Sequence, residues 1–206
     1  YIFIVNYFGQ LENKVILELK YKYKNIILDN TQSFFQKPIS NIDTIYSTRK
    51  FFGVPDGAYL STNKKIDEIL DRDKSNKRFE HILGRYEKNA NEYYNSYKSN
   101  EDLLNELPLK YMSKLTQNIL GAIDYKKIIK KRNENFSYLH KILKPINQLN
   151  LIVPNGPYAY PLYLKNGNEI RKKLIKDKIY VPLLWPNVLK NVDINSFEYN
   201  LALNIL

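Results

Sequence analysis

The first residues of the chain alternate apolar runs with a helical pattern, and this alternation restricts the possible folds more than any other feature. An apolar run opens the chain at residues 1–7, and a second run at 25–28 ends at Asp29. Between them, residues 11–22 repeat apolar side chains at the spacing of one helix face. Strand, helix and strand in so short a stretch predict a βαβ crossover and a parallel sheet, with the first strand buried on both faces.

Two further strands and a long helical region follow in the sequence. The third strand is predicted at 42–46 and the fourth at 58–61. From residue 64 to about residue 143 the spacing is helical almost throughout, with breaks predicted near residues 99–100 and at Pro108.

The clearest helix is predicted from Asp124 to Leu143, and Lys144-Pro145 ends it. The side chains that this helix is predicted to bury are Ile128, Ile129, Phe136, Leu139 and Leu143.

The last part of the chain returns to strand-like runs. Strands are predicted at 158–164 and 179–184, on either side of a helix near 168–176. This pattern predicts a smaller α/β domain at residues 123–206, after a larger α/β domain at residues 1–122.

The composition is that of an ordinary globular protein, with 44% hydrophobic and 26% charged residues. No stretch approaches the roughly 20 apolar residues that span a bilayer, and we expect no membrane partner. The chain has no cysteine, which excludes disulfides, thiolate metal sites and thiol nucleophiles. A cytoplasmic setting fits these features, and no metal site is predicted.

The net charge of +11 raises the question of an acidic partner. The lysines are scattered among Asn, Ile and Tyr, and the densest basic cluster, at 126–132, falls on the polar face of a predicted helix. A solvated surface is the usual interpretation of such a cluster, so we expect no nucleic-acid partner. The positive charge would instead steer anionic small molecules toward the protein.

The two ends of the sequence are apolar. The chain begins at Tyr1 without an initiator Met and stops at Leu206 without a polar tail. Natural chains usually begin and end in polar segments, so we expect this sequence to be a piece of a longer protein.

Polar residues cluster where the predicted strands end. Ligands of parallel α/β sheets bind beyond the carboxyl ends of the strands, and Asp29 stands directly after its strand. A lone aspartate there would be interpreted first as a helix N-cap or a turn residue. Here Gln32 follows closely, Ser47 and Lys50 follow the next strand, and a glycine-containing turn at 51–57 leads into another strand.

Each position has a physical role if the ligand is pyridoxal 5'-phosphate. A carboxylate at Asp29 facing the pyridine nitrogen would keep that nitrogen protonated and make the ring an electron sink. A buried amine at Lys50 would have a depressed pKa and could act as nucleophile and base. The Ser47 hydroxyl could donate to the phosphate, and Gly53 and Gly57 would let the backbone turn close to the cofactor.

These residues resemble those of the DegT/DnrJ/StrS aminotransferases, which are fold-type-I pyridoxal-phosphate enzymes. The resemblance rests on residues 26–33 and 43–53, and it is strongest at Asp29, Gln32 and Lys50. Downstream, the similar segments are 111–116, 132–139 and 182–186.

The resemblance implies a partial fold-type-I transferase (aspartate-aminotransferase-like) of the α/β class. Residues 1–122 would be the C-terminal part of the cofactor-binding large domain, with a parallel or mixed sheet. Residues 123–206 would be a smaller C-terminal α/β domain.

The resemblance also implies roles by position. Asp29 would pair with the pyridine nitrogen, Gln32 would contact the ring oxygen of the cofactor, and Lys50 would bind the cofactor covalently. Many family members place the phosphate-binding serine five residues before the lysine, where this chain has Ile45; Ser47 stands three residues before it instead.

Other parts of the family's site have no counterpart here. An asparagine that often reaches the neighbouring subunit's phosphate is replaced in this region by Leu109. The glycine turn and the aromatic residue that stacks on the ring would precede residue 1.

Other candidate residues lie nearby. Tyr7 and Tyr46 stand at predicted strand ends, where they could contact substrate, and Arg49 could bind phosphate or substrate or could point to solvent. His81 and His140 are interpreted as helix-surface residues, because they are too far apart in sequence to suggest a metal pair.

The activity implied is transfer of an amino group from glutamate to a keto-sugar carried on a nucleotide, by a homodimer. One alternative keeps the fold without transamination, as in dehydratase-like or regulatory relatives; the best-known dehydratases replace the lysine with His, so Lys50 argues against that branch. The other alternative, suggested by charge alone, is a basic binding module without a cofactor.

Overall fold

A computed structural model describes residues 1–206 and contains one four-stranded sheet and eight α-helices. The strands are β1 (Ile2–Val5), β2 (Ile26–Asp29), β3 (Asp43–Ser47) and β4 (Ala58–Ser61). The helices are α1 (Asn13–Lys22), α2 (Glu80–Glu87), α3 (Tyr94–Glu106), α4 (Lys114–Gly121), α5 (Tyr125–Leu143), α6 (Gly167–Lys176), α7 (Val188–Asn191) and α8 (Phe197–Asn204).

The sheet follows the order β1-β2-β3-β4, with the first three strands parallel and β4 antiparallel to β3. Since α1 connects β1 to β2, the predicted βαβ crossover is confirmed, and so is the α/β class. Val5, Asp29 and Ile45 lie side by side in the register of the parallel strands. The carboxyl ends of these strands therefore meet at one edge of the sheet.

One face of the sheet packs against α1. Its small apolar core consists of Ile16, Ile26, Leu28 and Ile42. Each fully buried aliphatic side chain stabilises such a core by about 1.5–3 kcal/mol. Because successive side chains of a strand point to opposite faces, the burial of Leu28 directs Ile27 and Asp29 to the other face.

The opposite face of the sheet exposes large apolar side chains. Phe3 is 57% exposed and Leu60 is 50% exposed. The prediction that the first strand is buried on both faces is therefore wrong. Asp29 and Ser47 belong to this open face.

A second core lies beneath the turn that follows β3. Phe51, Phe52 and Val54 of this turn are buried against Leu120 of α4. Phe34, in the β2–β3 connection, packs edge-on against Phe52 with ring centroids 4.9 Å apart. Such aromatic pairs contribute about 0.5–1.5 kcal/mol beyond the free energy of burying their surface, so this packing stabilises the turn.

The helical region differs in part from the prediction. Residues 62–79 are irregular apart from a 3-10 turn at Asn76–Arg78 and one isolated bridge from Arg72 to Tyr111, so the helices begin later than predicted. The predicted break near residues 99–100 is wrong, since α3 is continuous and buries Asn100 within it. The predicted break at Pro108 is confirmed.

The long helix predicted from Asp124 is confirmed as α5. Asp124 is its N-cap, and its side chain accepts a hydrogen bond from the Lys127 amide at 3.0 Å. Phe136 is buried as predicted, whereas Leu139 is exposed.

The last part of the chain contains no strand. The helix predicted near 168–176 is confirmed as α6, but residues 158–164 and 179–184 are irregular except for one isolated bridge at Tyr163. The α/β character predicted for residues 123–206 is therefore wrong, while the domain boundary at residue 122 stays a prediction. None of the eight helices has the length and apolarity required to cross a membrane.

Candidate functional site

Asp29, Ser47 and Lys50 meet at the carboxyl edge of the parallel strands. Asp29 ends β2 and Ser47 ends β3. Asp29 is paired in register with Ile45, and Ser47 lies two residues further on, so both side chains share the open face. Lys50 follows in the turn after β3. Ligands of parallel α/β sheets bind at this edge.

The Lys50 amine is held by a hydroxyl beside Asp29. Its Nζ donates a hydrogen bond to Oγ1 of Thr31 at 2.9 Å. The backbone N–H of Thr31 donates in turn to Oδ1 of Asp29 at 2.8 Å. The turn that follows β2 therefore places an acceptor for the amine and a carboxylate within the same short segment.

The surroundings of the Lys50 amine lower its pKa. Desolvation by burial lowers the pKa of Lys50 from its ordinary value of 10.5, the charge of Asp29 opposes this by raising it, and the charge of Arg49 lowers it again. The side chain still reaches solvent. At a given pH, more of the Lys50 amine is therefore free to act as a nucleophile or a base than in an isolated lysine.

Gln32 lies near the site and uses only the oxygen of its side-chain amide in a hydrogen bond to the protein. The side chain is buried, and its Oε1 accepts a hydrogen bond from the Phe8 amide at 3.0 Å. Its Nε2 makes no hydrogen bond to the protein and is not fully buried. Gln32 therefore fixes the turn after β1 and keeps one donor for a ligand.

A buried amide network joins the two turns that flank the site. Nδ2 of Asn6, just after β1, donates to Oδ1 of Asn30 at 3.1 Å and to Oε1 of Gln36 at 2.6 Å. Oδ1 of Asn6 accepts from the Leu11 amide at 2.9 Å. Networks of this kind fix a unique backbone arrangement, here around Asp29.

The turn that carries Lys50 is closed by Thr48 and Gly57. The buried Thr48 hydroxyl donates to the Gly57 carbonyl at 2.7 Å. Gly57 has φ of +105°, and a Cβ there would lie 2.8 Å from the Thr48 hydroxyl. Gly57 therefore requires a conformation that other residues rarely adopt, whereas Gly53 has no positive φ. The prediction that both glycines let the backbone turn close to the cofactor stays a prediction.

Arg132 of α5 clamps the same turn from the other side. Its guanidinium donates to the Phe51 carbonyl at 3.1 Å and to the Pro157 carbonyl at 3.0 Å. It also lies over the Phe51 ring, 4.8 Å from the centroid. Desolvation lowers the pKa of Arg132, which is half-buried. Arg132 therefore departs from the solvated face predicted for the 126–132 cluster.

Asp56 fastens the turn to the N-terminus of α4. This buried carboxylate accepts hydrogen bonds from the Ser113 amide at 2.8 Å and from the Ser113 hydroxyl at 3.0 Å. The Thr116 hydroxyl also donates to it. An anion at a helix N-terminus is favoured by the helix dipole, so the Asp56 carboxylate stabilises both α4 and the turn.

Arg49 points into a cleft beside Lys50. The cleft has a volume of ≈ 820 Å³, and its walls come from the turn after β3 and from α2 and α3. Arg49 forms an ion pair there with Glu101 of α3. Ser47 and Lys50 also line this cleft, so Arg49 and Ser47 share one space with the lysine.

The structure keeps the two predicted tyrosines away from this group. Tyr46 is buried on the α1 side of the sheet, and its hydroxyl donates to the Gln36 carbonyl at 3.0 Å. Tyr7 lies edge-on against Trp185, with ring centroids 4.9 Å apart, beside a separate apolar cavity. Neither side chain lines the cleft that contains Lys50.

Several residues of the site were not predicted. Thr31 could have been anticipated, because an aspartate two residues earlier is typical of an Asx turn. His81 was predicted on a helix surface, but it is buried and lines the cleft together with Arg85. Nothing in the local pattern indicates that α2 and α3 fold back over the Lys50 turn.

No protein-family model, curated protein or solved structure matches this chain. The resemblance to the DegT/DnrJ/StrS aminotransferases therefore stays a prediction that rests on the residues themselves.

Proposed function

We propose that this chain is a pyridoxal-phosphate-dependent aminotransferase that moves an amino group from glutamate to a nucleotide-linked keto-sugar. The observation that carries the proposal is the Lys50 amine, whose pKa is lowered by desolvation and which lies beside Asp29 at the carboxyl ends of parallel strands. Perturbed amines in clefts are typical of functional sites. By the same resemblance we expect a cytoplasmic homodimer.

The donor set fits the cofactor. Asp29 uses Oδ1 for the Thr31 amide, and its second oxygen makes no hydrogen bond to the protein. Gln32 keeps a free Nε2, and the Ser47 hydroxyl also makes no hydrogen bond to the protein. A carboxylate, an amide donor, a hydroxyl and an amine are thus available in one region, and they are the groups that the pyridine nitrogen, ring oxygen, phosphate and aldehyde require.

Each residue has a distinct task in the proposed reaction. Bound pyridoxal phosphate supplies an electron-withdrawing ring that stabilises negative charge on the neighbouring carbon. Lys50 would anchor the cofactor covalently, and its freed amine would accept the proton from the α carbon of the amino donor. Asp29 would hold the cofactor by pairing with its protonated pyridine nitrogen. Thr31 orients the free amine by accepting its hydrogen bond.

Absorbance tests the proposal. Pyridoxal phosphate added to the protein should produce a band at the violet edge of the visible spectrum, and glutamate should slowly convert the cofactor to its amine form. Lys50→Ala should abolish the band, while the control Lys64→Ala, which removes an exposed lysine paired with Asp43, should retain it. A band that survives in Lys50→Ala would contradict the assignment of Lys50. A band that glutamate leaves unchanged would contradict transamination.

A further experiment isolates the role of Thr31. Thr31→Val keeps the side-chain shape but removes the oxygen that accepts from Lys50, whereas Thr31→Ser keeps that oxygen. We expect slower conversion by glutamate in the valine variant and near-normal conversion in the serine variant. Equal rates in both variants would show that the hydroxyl does not orient the amine.

A further inference from the structure

The cleft beside Lys50 carries more positive charge than the protein neutralises. Among the side chains that line it, Arg49, Lys50 and Arg85 are cationic and Glu101 is the one carboxylate. Glu101 pairs with Arg49, so two positive charges remain in the cleft. Like charges gathered in a concave site focus a field that attracts an anion.

The field in this cleft also acts on a buried imidazole. Desolvation lowers the pKa of His81, and the charges of Arg49 and Arg85 lower it further. The Arg78 carbonyl and the Glu80 carboxylate oppose this shift. His81 therefore lies within reach of both guanidinium groups and responds to any anion that neutralises them.

We propose that this cleft binds the phosphoryl group of a phosphate or diphosphate ester, with Arg49 and Arg85 as its cationic ligands and Glu101 as the internal carboxylate that the ligand displaces from Arg49. A carboxylate ligand would bring one negative charge, which Glu101 already provides. A phosphate monoester brings about −1.5 to −2 charges at neutral pH, and a diphosphate diester brings one charge on each of its phosphoryl groups. Both offer several acceptor oxygens, which suit two guanidinium groups. If the proposed aminotransferase function holds, this is where the charged end of the acceptor lies.

The ion pair between Arg49 and Glu101 makes the site adjustable. The two side chains are 29% and 36% exposed, so the pair is open to solvent and can be exchanged for a ligand at little cost. Glu101 then becomes a competitor that keeps Arg49 in place until a stronger anion arrives. Glu101→Gln should therefore raise the affinity for diphosphate by about threefold.

The chain has two histidines, and this allows a direct test by NMR. The imidazole signals of His81 and His140 are titrated with pH, with and without inorganic diphosphate, at constant ionic strength and in the absence of cofactor. We expect diphosphate to raise the pKa of His81 and to leave the titration of His140 unchanged, because His140 stacks on Phe136 of α5 and does not line the cleft. Acetate, which carries one negative charge, should leave both titrations unchanged at the same concentration.

Matched variants locate the binding site. Arg85→Gln should weaken diphosphate binding about tenfold, because it removes a charged hydrogen-bond donor. Lys98→Gln removes the same charge from an exposed position of α3 outside the cleft and should change nothing.

An unchanged His81 titration at saturating diphosphate would overturn the proposal, and so would equal shifts of the two histidines or an equal effect of acetate. None of these measurements needs pyridoxal phosphate. If the unmodified protein bound diphosphate but gave no absorbance band with pyridoxal phosphate, the aminotransferase function would be contradicted. The proposed anion site would still be supported.

Discussion

The amine of Lys50 donates a hydrogen bond to the hydroxyl of Thr31, 2.9 Å away, and so connects the turn after β3 to the turn after β2. The Thr31 amide continues this connection to Asp29. A lysine fixed in this way is oriented toward the edge where ligands of parallel sheets bind. The connection therefore gives the candidate site its geometry before any cofactor enters.

The pH dependence of lysine acylation should separate Lys50 from Lys64. Desolvation lowers the pKa of Lys50, whereas the hydrogen bond to Asp43 raises the pKa of Lys64. Since only the neutral amine reacts, labelling of Lys50 should rise at a lower pH than labelling of Lys64. Peptide mass spectrometry after brief labelling across a pH series measures both residues in one sample. If the labelling of Lys64 rose at the same pH as that of Lys50, or at a lower pH, the described environment of Lys50 would be contradicted.

The neighbours of Lys50 should move its pKa in opposite directions. Asp29→Asn removes a negative charge that raises the pKa of Lys50, so the pKa should fall and labelling should accelerate at a given pH. Arg49→Gln removes a positive charge that lowers it, so the pKa should rise and labelling should slow. Unchanged labelling in both variants would show that desolvation alone sets the reactivity of Lys50, and shifts of the same sign would contradict the opposed effects of the two charges.

Two glycines of the same turn should respond differently to alanine. Gly57→Ala places a Cβ at φ of +105° and 2.8 Å from both the Thr48 hydroxyl and the Met112 methyl, so we expect a loss of about 1–3 kcal/mol in the free energy of unfolding. Gly53→Ala meets its nearest atom, of Ile82, at an ordinary 3.5 Å and should cost less than about 0.5 kcal/mol. Urea denaturation measures both, and equal losses would contradict the turn geometry.

The buried carboxylate of Asp56 should stabilise the fold strongly. Asp56→Ala leaves the Ser113 amide and the Thr116 hydroxyl without their acceptor, and we expect a loss of about 3 kcal/mol. The control Asp67→Ala removes a carboxylate whose only ion pair, with Lys65, is exposed, and should cost at most about 1 kcal/mol. Similar losses in the two variants would show that Asp56 does not hold the turn to α4.

The sequence predicts the sheet better than the rest of the molecule, for physical reasons. The strands and α1 depend on local periodicity, which places Leu28 in the core and Asp29 on the opposite face. The segment around Leu162 has the same apolar character, but it does not join a sheet. Leu162 instead exchanges two backbone hydrogen bonds with Leu206, which is distant in sequence. Pro161 removes one backbone donor from that segment, which disfavours a continuous strand.

The candidate site, like the fold, was predicted best where it depends on residues near the ends of the strands. Residues close in sequence to a strand end, such as Asp29 and Lys50, could be predicted because parallel strands bring their carboxyl ends together. Tyr46 could not be placed correctly, because its face depends on the register of β3 with β2. Glu101 and His81 reach the cleft only through the long-range packing of α2 and α3, which no local pattern encodes.

The most direct test of the central claim is borohydride trapping. Pyridoxal phosphate is mixed with the 206-residue chain, the mixture is reduced, and the modified peptides are mapped by mass spectrometry. We expect the stable adduct to form predominantly on Lys50, ahead of Lys64 and the other exposed lysines, and we expect Thr31→Val to diminish this preference. Adducts spread evenly over the exposed lysines, with Lys50 no more modified than Lys64, would contradict the assignment of Lys50 as the cofactor lysine.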